Sequence, residues 1–272
     1  MNDAMLVRYE ASEGIALLTL DSPPANTYSY DLNRRLDEAI LRARMDDAVH
    51  VIVIRGAGDR FFCAGADIAM LQGAEPSFKY FFCLHANETL LRLENTPKLV
   101  IAALNGHTVG GGLEVAMAAD MRFGWRNTAP GAKPAMVGLP EVTLGVLPGT
   151  GGTQRLARLV GKSKAIEMMV SGRNMDMAEA ERAGIVNRVI EAPTADAFMA
   201  AVMEAARGFC PPGRASMAVG HIKRAVQSGA EVPLESGLAI ERELQQRLFT
   251  SADAKEGIAA YNEKRKPSFK GR

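Results

Sequence analysis

The sequence predicts an α/β core followed by a helical C-terminal region. Short apolar runs typical of buried strands occur at Ile15–Leu20, at residues 51–54 and at Leu99–Leu104, and segments with helical spacing of apolar residues lie between them. With 272 residues, the chain is long enough to bury a full hydrophobic core. We expect residues 1–194 to form the core. Residues 195–272, where only helical patterns remain, should form the helical region.

The composition argues against several classes of function. The 32 Lys and Arg residues nearly balance the 31 Asp and Glu residues, for a net charge of +1, so no charge field indicates binding to nucleic acid or to a membrane surface. No apolar run reaches the roughly 20 residues of a membrane span. Residues 1–5 show neither the basic nor the apolar part of a secretory signal. Because Cys63, Cys83 and Cys210 lack metal-ligand spacing, we expect reduced thiols in a cytoplasmic protein and no metal site.

Two long helices are predicted in the first hundred residues. Ser29 offers an N-cap for a helix with apolar residues on one face, and Arg, Asp and Glu residues share the other face. Residues 77–95 form a second helix with a broad apolar side. That side comprises Phe78, Phe81, Phe82, Leu84, His85, Leu90, Leu91 and Leu93. Further along, residues 184–190 are predicted to form a strand.

Three consecutive glycines mark the place where a strand gives way to a helix. Gly110, Gly111 and Gly112 follow the apolar run Leu99–Leu104 and open a helical segment with Glu114 on its first turn. Glycine lets a ligand approach the main chain, and a helix start leaves N–H groups unpaired at the positive end of the dipole. The pattern is typical of a site for a carbonyl oxygen that becomes negative during a reaction. It is equally compatible with a glycine turn packed tightly in a core.

The run FCAGADI, residues 62–68, has the same arrangement of strand, glycine and helix. Gly65 separates the apolar strand from a segment in which Ile68 and Leu71 have helical spacing. An Asp at a helix entrance more often accepts main-chain N–H bonds than it transfers protons. We therefore expect Asp67 to cap this helix.

Three motifs occur in a fixed order: FCAGADI, NGHTVGGGLEVAMAAD and LPEVTLGVLPGTGGTQRL. Together they make the chain resemble the enoyl-CoA hydratase/isomerase (crotonase) family over nearly its whole length. The resemblance implies a right-handed spiral of ββα units. It also implies that the C-terminal helices pack subunits into a homotrimer, which commonly pairs into a dimer of trimers. Because this family runs several reactions on one scaffold, the motifs indicate the family more closely than the reaction.

The resemblance also implies roles for individual residues. Glu114 and Glu141 would be the catalytic carboxylates, and the N–H groups of Ala66 and Gly111 would form an oxyanion hole for the thioester oxygen. A carboxylate in a largely apolar pocket, close to a like charge, has its proton affinity raised, as an acid/base near neutral pH requires. The implied substrate-binding positions are Ala25, Ala64, Gly65, Asp67, Ile68, Gly110, Pro140, Gly149, Tyr261 and Lys264.

Some of these implied positions carry alternatives. The carbonyl of Ala64 would hold the adenine amino group of coenzyme A, and Gly149 would help to place the water. Tyr261 and Lys264 would contact coenzyme A, in some members of the family across a subunit boundary, but a basic tail of this kind is equally compatible with a solvated chain end. Residues 125–135 depart from the family pattern. They are expected either to border the acyl pocket or to be a tolerated variation of a surface loop.

The expected activity is the addition of water to a trans-2-enoyl-CoA, which gives a 3-hydroxyacyl-CoA and needs no metal or redox cofactor. An enoyl-CoA isomerase or another acyl-CoA reaction of the family is the alternative, although isomerases usually replace the carboxylate at the Glu114 position. RNA binding, known for one relative of the family, would need an unopposed basic face. The helix that carries Arg34, Arg35, Arg42 and Arg44 also carries four acidic residues, so we expect no nucleic-acid partner.

Overall fold

A computed structural model describes residues 6–272 of the chain. Residues 1–5, on which the expectation about a secretory signal rests, lie outside the described residues. The strands are β1 (Val7–Ser12), β2 (Ile15–Leu20), β3 (Val51–Gly56), β4 (Phe61–Cys63), β5 (Leu99–Leu104), β6 (His107–Val109), β7 (Met121–Asn127), β8 (Met136–Gly138), β9 (Met175–Asp176) and β10 (Arg188–Ala192). The helices are α1 (Tyr30–Met45), α2 (Ile68–Gln72), α3 (Pro76–Glu94), α4 (Gly111–Met117), α5 (Gly152–Val160), α6 (Lys162–Ser171), α7 (Met177–Arg182), α8 (Ala195–Arg207), α9 (Ser216–Gly229), α10 (Leu234–Phe249) and α11 (Ala252–Asn262). A short 3₁₀ helix, Glu141–Leu144, follows β8.

The strands form two sheets, and the chain passes from one sheet to the other more than once. The first sheet has the order β1-β2-β3-β5-β7-β10 and the second the order β4-β6-β8-β9. β1 and β2 form an antiparallel hairpin, and the other neighbours in the first sheet are parallel. In the second sheet β4, β6 and β8 are parallel, whereas β9 is antiparallel to β8. In β3–β4, β5–β6 and β7–β8, the first strand joins the first sheet, the second strand joins the second sheet, and a helix follows. This is the predicted repeat of ββα units.

The first sheet is covered on both faces, which explains the continuous apolar runs of its strands. Neighbouring residues of β5 belong to two separate clusters of buried side chains, with Val100 in one and Ile101 in the other. Phe198 and Val202 of α8 complete the second cluster. α8 therefore packs on the core sheet, although it falls in the predicted helical region. The division at residue 194 stays a prediction.

The sequence at the start of α1 explains where this helix begins. Ser29 caps it, because its Oγ accepts the N–H of Leu32 at 3.1 Å, and the buried face includes Leu36. On the other face, Arg44 turns back onto the protein and donates from Nε to the hydroxyl of Thr96 at 3.0 Å. The arginines of this helix are thus not all free to form a basic surface.

The apolar surface of α3 is larger than the part of it that this chain buries. Phe82, Leu90 and Leu93 of the predicted apolar side pack in the core. Phe81 and Leu91, from the same side, are largely exposed. The helix therefore carries an uncovered apolar surface beside its buried one.

Two strand boundaries differ from the sequence prediction. Trp125, predicted to lie in a link at residues 125–135, belongs to β7, where its ring is buried and its Nε1 donates to the carbonyl of Ala192 at 3.0 Å. The exposed link is therefore shorter and begins after Asn127. The strand predicted at residues 184–190 is Arg188–Ala192 instead, because these are the residues that pair with β7.

Helices α9, α10 and α11 expose large apolar side chains. These are Ile222, Val226, Leu234, Leu238, Phe249, Ile258 and Tyr261. The chain end folds back onto α11, where the carboxylate of Asp253 accepts the N–H groups of Lys270 at 2.7 Å and of Gly271 at 2.8 Å. Within residues 6–272, none of the helices combines the length and apolar character needed to cross a membrane.

Candidate active site

The ends of three parallel strands bring the predicted motifs together. The segments that follow β4, β6 and β8 carry FCAGADI, the three glycines and the sequence around Glu141. The N–H of Gly110 donates to the carbonyl of Gly138 at 2.9 Å, which joins the second segment to the third. The first and second segments touch so closely that a Cβ on Gly65 would lie 3.3 Å from the carbonyl oxygen of Val109. The sheet therefore assembles one site from motifs far apart in sequence.

The N–H groups of Ala66 and Gly111 lie on two of these neighbouring segments. Each follows a glycine with positive φ, Gly65 at +91° and Gly110 at +55°, a conformation that other residues rarely adopt. Gly111 begins α4, so its N–H has no partner within the helix. Within residues 6–272, neither N–H donates to a protein acceptor. Two such donors can stabilise negative charge that develops on a thioester oxygen.

Tyr28 holds the two donor segments together. Its N–H donates to the carbonyl of Gly65 at 2.8 Å, and its carbonyl accepts the N–H of Asp67 at 3.3 Å. Its buried ring lies against Gly111, where a Cβ would be 3.2 Å from ring atom Cδ1. The hydroxyl donates to Oδ1 of Asn33 at 2.6 Å. The side chain and main chain of Tyr28 thus fix the spacing between the two donor segments.

Glu114 is buried on the first turn of α4, as predicted, and three donors hold its carboxylate. Oε1 accepts the N–H of Thr150 at 2.8 Å and the N–H of Gly152 at 2.7 Å. The hydroxyl of Thr150 donates to Oε2. Because a carboxylate offers about four acceptor positions, about one remains for a water or a substrate.

Glu141 has a different environment, at the start of the 3₁₀ helix. Its Oε2 is buried and makes no hydrogen bond within the described residues. Burial, reinforced by the charge of Glu114, raises the pKa of Glu141 to about 7, although its own N–H and the charge of Lys79 act in the opposite direction. Oε1 lies over Gly110, where a Cβ would be 3.2 Å away. A pKa near neutrality suits a group that must both hold and release a proton.

Comparison with known proteins identifies a family and several relatives of this chain. The sequence profile of the family described as "Enoyl-CoA hydratase/isomerase" matches residues 10–272. A "Probable enoyl-CoA hydratase" of Rhizobium meliloti (strain 1021) is 41% identical over 267 residues, which cover 97% of this chain and 97% of that protein. The mitochondrial methylglutaconyl-CoA hydratase of Mus musculus is 36% identical over 273 residues, which cover 99% of this chain and 84% of that protein.

A solved structure from Geobacillus kaustophilus HTA426, described as an enoyl-CoA hydratase, matches with a TM-score of 0.91 at 43% identity. The match covers 98% of this chain and 97% of that one. The chain belongs to the enoyl-CoA hydratase/isomerase family. The predicted crotonase fold is thereby confirmed, and membership of this family implies an acyl-CoA thioester as substrate.

In this member of the family, several implied substrate-binding positions lie around the segment that follows β4 and carries the N–H of Ala66. The N–H of Ala64 donates to the carbonyl of Ala25 at 3.0 Å, which places these two residues side by side. Asp67 caps α2 by accepting the N–H of Met70 at 3.1 Å, as predicted. Ile68, next along the chain, is largely exposed. The contacts of these residues with coenzyme A stay predictions.

Two further implied positions flank the carboxylates. Gly149 lies against α3, because a Cβ there would be 3.1 Å from Sγ of Cys83. The carbonyl of Pro140 accepts the N–H of Thr143 at 2.9 Å, which closes the turn that carries Glu141. The expected placement of a water by Gly149 stays a prediction.

Tyr261 and Lys264 are the implied positions in the C-terminal region. Tyr261 is exposed near the end of α11, and the N–H of Lys264 donates to its carbonyl at 3.2 Å. Within the described residues, no hydrogen bond or ion pair connects either side chain with Glu114 or Glu141. Their contact with coenzyme A stays a prediction.

Sequence reasoning named both carboxylates but did not name the groups that hold Glu114. Thr150 and Gly152 lie in the motif LPGTGGTQRL, which is the signal that could have found them. Tyr28 carries no such signal. His107, also within a motif, supports the fold instead, because its Nδ1 accepts the N–H of Met136 at 3.1 Å and so joins the start of β6 to β8.

Proposed function

We propose that this protein is an enoyl-CoA hydratase that adds water to a trans-2-enoyl-CoA. The observation that carries the proposal is a pair of carboxylates beside two unpartnered donors. Glu114 and Glu141 are close enough for the charge of one to affect the pKa of the other, and the N–H groups of Ala66 and Gly111 lie on the adjoining loops. Hydration needs one group to take a proton from water and another to supply a proton to carbon. Moving a double bond needs only one base.

The reaction can be followed proton by proton. The thioester oxygen accepts the N–H groups of Ala66 and Gly111, and each donor contributes roughly 3–4 kcal/mol to the stability of the enolate-like state. Glu114 holds the water on its remaining acceptor position and takes a proton as the water oxygen bonds to the β-carbon. The electrons of the double bond move toward the thioester, and protonated Glu141 then delivers its proton to the α-carbon.

The product of these steps is a 3-hydroxyacyl-CoA. Glu114 ends protonated and Glu141 ionised, and exchange with solvent restores both after the product leaves. Because water is added without any transfer of electrons to or from the substrate, we propose that no metal or redox cofactor takes part. The acyl-CoA is then the only small molecule required besides water.

A panel of 2-enoyl-CoAs of varied length and branching tests the proposal. Methylglutaconyl-CoA belongs in the panel because a mouse relative carries that substrate in its name. Hydration is followed as the loss of absorbance of the conjugated thioester. Glu114→Gln and Glu141→Gln are each expected to reduce it by about 10²-fold or more, the scale of acid–base catalysis. A protein that isomerises 3-enoyl-CoA but hydrates no 2-enoyl-CoA would refute the proposal and favour the isomerase.

A second variant separates the two reactions within one preparation. Glu114→Ala should abolish hydration, because no group then deprotonates the water, and should leave at least part of any isomerisation, which Glu141 can support alone. The ratio of hydration to isomerisation is compared between Glu114→Ala and the parent. A general loss of stability lowers both activities alike and therefore does not change this ratio. An equal fall in both activities would contradict the division of roles between the two carboxylates.

We also propose that the protein acts as a homotrimer or a dimer of trimers in the cytoplasm, without a nucleic-acid or membrane partner. The large apolar side chains exposed on α3 and on α9 to α11 support an assembly that would cover them. In such an assembly Tyr261 and Lys264 of one subunit would reach the coenzyme A bound by another.

A further inference from the structure

A partly buried ion pair lies behind the segment that holds Glu114. Glu94, the last residue of α3, accepts two parallel bonds from Arg155 of α5: Nε to Oε1 at 2.8 Å and Nη2 to Oε2 at 2.7 Å. The side chains of Arg155 and Glu94 are only 12% and 17% exposed. The remaining terminal nitrogen, Nη1, donates to the carbonyl of Thr150 at 3.1 Å. The guanidinium thus connects α3 with the segment that contacts the catalytic carboxylate.

Gly151 allows the guanidinium to reach this position. Its φ is +112°, and a Cβ there would collide with Nη1 and lie 3.1 Å from Cζ of Arg155. Thr150 is therefore bound from two sides. Its carbonyl accepts from Arg155, while its N–H and hydroxyl donate to Glu114.

We infer that the Glu94–Arg155 pair positions the carboxylate of Glu114 by fixing Thr150. The planar guanidinium presents its donors in a rigid fork, whereas a lysine ammonium is a single flexible point charge. Loss of the fork releases the carbonyl of Thr150, and the donors to Glu114 lose their alignment. A displacement of about 1 Å at a reacting group can reduce the rate by about 10²-fold. Neither Glu94 nor Arg155 touches substrate in this account, so both are positioning residues.

The next turn of α5 provides a matched control. Arg158 pairs with Glu231, with Nε 2.8 Å from Oε1, but these side chains are 55% and 54% exposed. Its Nη1 donates to the carbonyl of Gln154 within the same helix. The two pairs share their chemistry and their helix, and only the first contacts the segment that holds Glu114.

The kinetic test compares the two pairs and rests on the proposed function. Arg155→Lys and Glu94→Gln are each expected to lower kcat by about 10- to 100-fold and to leave the KM for the enoyl-CoA nearly unchanged, because the thioester donors lie on other segments. Arg158→Lys and Glu231→Gln should change neither constant. Combined with Glu114→Gln, Arg155→Lys should have little further effect on the residual rate. An unchanged kcat, or the same loss with and without Glu114, would overturn the inference.

A structural test does not depend on which reaction the protein catalyses. Glu94→Gln keeps the volume of the side chain and one carbonyl acceptor, so it is the variant suited to crystallisation. The expected result is a rotated or displaced carboxylate of Glu114. A carboxylate that keeps its position and all three bonds would overturn the inference. A parent protein that hydrates no enoyl-CoA would refute the proposed function alone and leave this test in force.

Discussion

The rate of hydration should depend on the protonation of Glu141, because this residue is proposed to supply the proton to the α-carbon. Burial, with the charge of Glu114 as the next cause in the same direction, raises its pKa from 4.5 to about 7. At pH 7 about half of the molecules would then carry the proton, compared with about 0.3% for a carboxyl of ordinary pKa. The environment therefore increases the population of the proton donor by about 150-fold. Above about pH 7, kcat/KM should fall by about tenfold for each pH unit.

The fall in kcat/KM above about pH 7 is the alkaline limb of the pH profile. One substitution tests its electrostatic cause. The charge of Lys79 lowers the pKa of Glu141, so Lys79→Met should move the alkaline limb to higher pH. Lys133→Met, in the exposed link after β7, is the control and should leave the limb in place. Initial rates of thioester absorbance loss from about pH 5 to about pH 9 give the profile, which reports the free enzyme when kcat/KM is plotted. A profile that stays flat across neutrality, or a limb that moves to lower pH in Lys79→Met, would refute the reasoning.

The raised pKa also has a consequence for stability. A carboxyl whose pKa is higher in the folded than in the unfolded state contributes stability that is present below the unfolded pKa, and this is lost as the pH rises through the folded pKa. The loss should occur between about pH 4.5 and pH 7. Because glutamine does not ionise, Glu141→Gln should melt at a higher temperature than the parent at about pH 8, and the difference should shrink toward pH 4. Equal melting curves at pH 8 would contradict the raised pKa.

Three further predictions concern the support of Glu114, the packing of the glycines and the assembly. Thr150→Val removes the hydrogen bond from the Thr150 hydroxyl to Glu114. It should lower kcat by about 10- to 100-fold, since a hydrogen bond to a charged group contributes about 1.5–3 kcal/mol. Thr150→Ser keeps the hydroxyl and is the control that should retain activity. Gly112→Ala should reduce the free energy of unfolding by about 1–3 kcal/mol or more, because its Cβ would collide with the carbonyl oxygen of Cys63. Gly73→Ala, with open space around the new methyl group, should cost little in the same denaturation experiment. Light scattering at working concentration should give the mass of a trimer or a hexamer, and a monomer would contradict the proposed assembly.

Local sequence patterns predicted which segments form the site, but not how the side chains are held. The position of Glu114 on the first turn of α4 followed from the glycines that precede it. Its donors come from Thr150 and Gly152, 36 and 38 residues later in the chain, and no local pattern reports such a distant contact. Tyr28 was missed for the same reason, since its contacts are with Gly65, Asp67 and Gly111, which lie far along the chain.

The same limit explains the differences in secondary structure and burial. Periodicity predicted the extent of α3 well, but it cannot show how much of an apolar surface one chain covers. Trp125 was placed in a link because residues 125–135 depart from the family pattern. It belongs to β7 because β10 pairs alongside, with Ile190 opposite Trp125. Pairing between distant strands, rather than local propensity, decides this boundary.

The two glutamates illustrate how different surroundings within one site can give identical side chains different roles. Glu114 is surrounded by donors, so its oxygens act as acceptors and can orient a water molecule. Glu141 has a buried oxygen without a partner and a pKa near neutrality, so it can carry a proton at the pH of most cells. The environment of Glu141 depends on Glu114, because the charge of Glu114 is one cause of the raised pKa of Glu141. Anything that displaces Glu114 should therefore weaken both the capture of water and the supply of the proton. This coupling explains why the Glu94–Arg155 ion pair behind Thr150 would matter to a reaction that it never touches.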